Sequence, residues 1–112
     1  MAVTFDWDGF VQGVEDGVKT LAKNSVGDAV DHARSDAKDF VELNKKSIKR
    51  WGEALKAGTI SKDDFEFLVG GQKSLAKMHA LKALGLSQAR LERFRKGLMS
   101  LVVRSAFNAV GI

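Results

Sequence analysis

The sequence predicts an all-α protein, a four-helix elongated bundle built on one long helix and arranged as two helical hairpins. Three observations carry that expectation. The 112 residues include no proline, so the strongest helix breaker is missing. Apolar residues recur at spacings of three and four rather than in alternation. Short stretches with helix start and stop residues punctuate the chain near Asn24–Ser25, Gly58–Ser61 and Gly85–Ser87. The length suits a single helical domain over 1–112.

The first helix is expected from about Trp7 to Lys23. Asp6 serves as N-cap, and Phe5 and Phe10 stand where a hydrophobic staple places them. The second begins after Ser25, with Asp28 three residues on, and runs to about Ala57, where Gly58 ends it. Its apolar stripe passes through Val26, Val30, Ala33, Ala37, Phe40, Asn44, Ser47, Trp51 and Ala54. A continuous helix over 26–57 is about 45 Å long and sets the shape of so short a chain. Asn44 is either a register-setting polar residue in that stripe or an edge residue meeting water. Gly52 is the weak point of the helix.

Ser61 caps the third helix, Asp63 and Asp64 suit its positive end, and Ile60 staples to Phe65. Gly85 closes this segment, and Gly70-Gly71 is expected to kink it. The fourth helix starts at Ser87 and reaches about Val110.

Gly9, Gly13 and Gly17 stand four apart in the first helix, although each costs about 1 kcal/mol relative to Ala. A close hairpin explains them. Ala29, Ala33 and Ala37 form a matching small strip on the second helix, and chain reversal near Asn24–Ser25 sets Gly17 opposite Ala33 and Gly13 opposite Ala37. Self-association through the glycines is the alternative.

Chemistry-bearing residues are sparse. There is no cysteine, which excludes disulfides and thiolate chemistry and suits a reducing, cytoplasmic setting. The start, MAVTFDWDGF, is acidic where a signal peptide is basic, and no apolar run is long enough to span a bilayer. Glu53, Leu55, Ala57 and Gly58 fail as a calcium loop, because Leu and Ala offer no oxygen ligand from their side chains. His32 lies on an acidic face with Asp28 and Asp36, but ligands at i, i+4 and i+8 cannot converge on one ion. His79 falls on the apolar arc of the third helix and is expected to be buried and neutral. In KKSIKRW (45–51), Trp51 belongs to the core stripe while Lys45, Lys46 and Lys49 point away from it, so no stacking surface forms. No catalytic residue, cofactor or metal is expected, and the chain reads as non-enzymatic.

Charge is unevenly placed. Residues 1–44 hold nine acids and four bases, net −5, whereas 45–112 hold fourteen bases and five acids, net +9. From Lys73 onward Glu92 is the sole acid. On the fourth helix Arg93, Lys96 and Arg104 share one face with Arg90 at its border. Arg95 intrudes into the apolar face, where it either snorkels or meets an acid from another helix or chain.

These features favour an interaction or assembly module: an adaptor, structural subunit or small inhibitor-type bundle acting through protein contacts. Its partner is another protein or a second copy of the chain, as a homodimer or larger assembly. The alternative is binding of nucleic acid or an anionic membrane surface through the basic 73–104 region, with Arg90, Arg93, Arg95, Lys96 and Arg104 as the contact residues.

Overall fold

The computed structural model describes residues 4–112. The first three residues of the stretch assessed above for a targeting signal lie outside them. Six α-helices and no strand occur among the described residues, so the fold is all-α. They are α1 (Trp7–Ser25), α2 (Val30–Leu43), α3 (Lys45–Ala57), α4 (Lys62–Gly70), α5 (His79–Lys82) and α6 (Gln88–Val110). One 3₁₀ turn, Lys73–Leu75, lies between α4 and α5. The molecule measures 48 × 22 × 20 Å.

The expected ends of α1 and α6 are close to the observed ones, and their caps explain why. Asp6 Oδ1 accepts the Gly9 amide at 3.0 Å, and Ser87 Oγ accepts that of Arg90 at 3.3 Å. Gly58 and Gly85 take positive φ of 80° and 72°, which side chains other than glycine adopt at a cost.

The 26–57 rod is corrected to two helices meeting at Asn44. Asn44 adopts φ −102° and ψ 10° and is buried. Its main-chain N–H and its side-chain Nδ2 both donate to the Phe40 carbonyl, at 3.1 and 2.9 Å. The main-chain bond is an ordinary i→i−4 one, and the Asn44 carbonyl in turn accepts the Ile48 amide at 2.8 Å. The departure from helical form is therefore confined to the Asn44 backbone angles, where a side-chain donor competes for the Phe40 carbonyl. The break separates two packing tasks: α2 lies against α1 and α5, and α3 lies against α4 and α6. Gly52 is no longer anomalous, because the Phe5 ring sits directly on it. The start of α2 moves as well. Ser25 closes α1 by donating Oγ–H to the Leu21 carbonyl at 2.6 Å, and Gly27 at φ 65° forms the turn before Val30.

The third expected helix survives only as α4. Beyond Gly70 come turns, the 3₁₀ segment and the single turn α5, so the anticipated kink is a complete break. Met78 precedes α5 with left-handed φ of 56° while its side chain is buried. A non-glycine residue pays for such a conformation only where its surroundings hold it. Here the holder is Asp36 on α2. Its Oδ1 accepts the Ala80 amide at 2.9 Å and its Oδ2 that of Leu81 at 2.8 Å. His79 consequently begins α5 on the exterior and is exposed, contrary to its expected burial.

At the other end, α4 starts with a full capping box. The Asp64 amide donates to Ser61 Oγ and the Ser61 amide to Asp64 Oδ2, each at 3.0 Å. The Ser61 amide, followed by its hydroxyl, holds the Asp64 carboxyl below the usual carboxylate range. Because the folded pKa is lowered, this stabilisation is complete above the ordinary Asp range and is lost as pH falls through the folded value. Ser61→Ala removes the hydroxyl but keeps the amide, so the Asp64 titration, followed by NMR, is expected to move only part of the way back up, at a cost of about 1 kcal/mol. An unchanged titration curve would assign the lowering to the residue-61 amide alone.

Candidate functional site

The three glycines of α1 do not face the alanines of α2. A Cβ on Gly13 would meet Ser105 Oγ and Cβ at 3.2 and 3.3 Å, and one on Gly17 would collide with the Leu101 side chain. Gly97 of α6 reciprocates: the Leu21 side chain occupies the space its Cβ would fill. The pairs 13/105, 17/101 and 21/97 step by four residues in opposite directions, so α1 and α6 run antiparallel. α1 supplies two notches and one knob, and α6 the reverse. Gly9 belongs to the N-cap, where Asp6 fills the space beside it.

Ala33 and Ala37 are buried and Ala29 is half-buried, but the nearest neighbours of Gly13 and Gly17 belong to α6. The expected α1–α2 glycine–alanine hairpin is therefore corrected to an α1–α6 seam. The reason is area. The 23-residue α6 buries Leu91, Phe94, Leu98, Met99, Leu101, Val102 and Val103, a longer apolar face than the 14-residue α2 can offer. A sequence signal for this partner did exist, in the four-residue ladder Gly97, Leu101, Ser105 that mirrors Gly13, Gly17, Leu21.

With α1 committed to α6, a groove of about 390 Å³ remains along its contact with α2. Val11, Val14, Val18, Ala37 and Val41 give it an apolar floor. Its rim carries both signs, with Glu15 on α1 and Asp31, Arg34, Lys38 and Glu42 on α2. Elsewhere, Phe67 on α4 projects into solvent at 81% exposure. Asp63 lies one turn before it and Glu66 beside it, both exposed. This pair of features was not legible in the sequence, where Phe67 reads as one more apolar residue next to the buried Phe65.

The basic face of α6 is as expected. Arg90, Arg93, Lys96 and Arg104 are all exposed. The salt bridges among the described residues both involve Glu92, with Lys73 and with Arg95 at 2.8 Å. Arg95 is thus half-buried and finds its acid one turn back on its own helix rather than on another element. A hydrogen bond from Lys73 is the main reason the Glu92 carboxyl lies below the usual carboxylate range; burial opposes it, and the charges of Lys73, Arg95 and Lys96 assist. Within one chain the acidic half therefore does not neutralise the other four cations.

No protein-family model, curated protein or solved structure matches this chain. No helix among the described residues is long and apolar enough to cross a membrane. On the stripe expected for the long rod, Ile48 and Leu55 are buried and Trp51 is half-buried, while Leu43, Phe67, Leu84 and Ile112 are the large exposed apolar residues.

Proposed function

We propose that this protein is a non-enzymatic assembly module that joins to further copies of itself head to tail, the Phe67 ring of one copy entering the α1–α2 groove of the next. The observation that carries this reading is the pairing of an aromatic knob with an apolar-floored groove on one small domain. Asp63 and Glu66 flank the knob, and Arg34 and Lys38 offer them partners on a mixed rim that also carries Glu15, Asp31 and Glu42. Aromatic anchors seated in desolvated pockets supply most of the energy at protein interfaces. With one such anchor the contact is of the weak, transient kind. Because knob and groove are different surfaces, the interface is heterologous and gives rings or open chains.

Light scattering from dilute to millimolar protein, at two salt concentrations, tests it. The wild type is expected to grow beyond its 12.2 kDa monomer mass with concentration. Phe67→Ser removes the knob, and Ser35→Trp fills the groove from its exposed rim. Each variant alone is expected to stay monomeric. An equimolar mixture still contains one intact knob and one intact groove, so it should form a 1:1 heterodimer and stop there. A wild type that remains monomeric, or a mixture that does, overturns the proposal.

A further inference from the structure

A different surface points to a second kind of partner. At 100° per residue, Arg90, Arg93, Lys96 and Arg104 fall within an arc of about 120° on α6 and span about 21 Å of its axis. Of the other positions on that arc, Ala89, Ser100 and Asn108 are exposed, while Gly97 is half-buried against Leu21 and Phe107 half-buried against Phe65. The single acid of the helix, Glu92, is already matched by Lys73 and Arg95. The result is a straight cationic stripe with no acid among its exposed positions.

We infer that this stripe binds the phosphate backbone of a nucleic-acid duplex without sequence preference. Phosphate contacts need exposed, unpaired cations spaced along a line, and backbone binding draws on little else. The one ring on that arc, Phe107, packs against Phe65 and lies under Lys62, so no open stacking surface accompanies the cations. A duplex is thereby favoured over single strands, whose capture relies on aromatic stacking. A bilayer surface is disfavoured by the same face. Membrane-lying helices present large apolar residues beside their cations, but those of α6 are sealed in the core: Leu91, Phe94, Leu98 and Val102 are nearly inaccessible.

The test uses the full chain with a fluorescently labelled 24-base-pair DNA duplex and, in parallel, an RNA duplex of the same length. Neutralising four phosphates gives a slope near −3.6 in log affinity against log salt, so binding should fall roughly 100-fold between 50 and 200 mM salt. The triple variant Arg93→Gln, Lys96→Gln, Arg104→Gln is expected to reduce that slope to about −1 and to lose most affinity at 50 mM salt. All three side chains are exposed, and circular dichroism checks that the variant remains helical. Binding of either duplex with this salt slope supports the inference. It is overturned by three results: no duplex binding at 50 mM salt, equal binding by the triple variant, or retention on phosphatidylserine vesicles in preference to both duplexes.

Discussion

Trimming Leu101 to Ala is expected to convert Gly17→Ala from a destabilising substitution into a stabilising one. In the native seam a Cβ on Gly17 overlaps the Leu101 side chain, whose Cδ2 and Cγ already lie at 3.0 and 3.1 Å from its position. Leu101 is 5% exposed, so its branches have little room to swing aside. Overpacking of this kind costs about 1–3 kcal/mol, against a gain of about 1 kcal/mol in helix propensity. The single Gly17→Ala change should therefore lower stability by about 1 kcal/mol. Leu101→Ala alone should cost about 2–5 kcal/mol through lost burial and the cavity left behind. In the double variant the new methyl enters that cavity, the clash is gone, and only the propensity gain and some refilled volume remain. Urea unfolding of the four proteins gives the coupling, expected near 2 kcal/mol. Additivity within about 0.5 kcal/mol would mean that the two side chains do not meet.

The second large effect is local. Asp36→Ala removes the only side-chain acceptors of the Ala80 and Leu81 amides, in a place where Asp36 and Leu81 are both buried. Leaving a buried N–H unpaired costs about 1–3 kcal/mol, and the bonds lost here are to a carboxylate. α5 is a single turn and Met78 before it is held in a left-handed conformation, so this segment has few other means to retain its shape. Exchange of the Ala80 and Leu81 amides is expected to accelerate at least about thirtyfold, equivalent to about 2 kcal/mol, while amides in the α1–α6 seam keep their protection. Asp36→Asn retains one carbonyl acceptor and should lie between the two. Unchanged exchange in Asp36→Ala would assign the hold on α5 to the packing of Met78 and Leu81 alone.

Both effects arise at places that chain order does not bring together. Asp36 and Ala80 are 44 positions apart, and nothing in the local sequence around Asp36 marks it as anything but one more acid on a charged face. His79 is exposed rather than buried for the related reason that a helical wheel drawn across Gly70–Gly71 presumes a helix that is not there. The Asn44 break shows the same limit in a subtler form. The apolar period continues across it, because both α2 and α3 are buried on one side, while a side-chain amide competing for one carbonyl accompanies non-helical backbone angles at a single residue.

By itself the sequence determined the all-α class, the caps at Asp6, Ser61 and Ser87, the glycine stops at 58 and 85, and the cationic face of α6. These depend on interactions within about one helical turn, whose geometry the backbone dictates. The tertiary structure alone decided which helix fills the glycine notches, where the long stripe divides, and that Phe67 and the α1–α2 groove stand open. Those outcomes depend on which distant apolar faces compete for the same surface. Local periodicity says that a face must be covered, and only the relative areas and shapes of all the faces say by what.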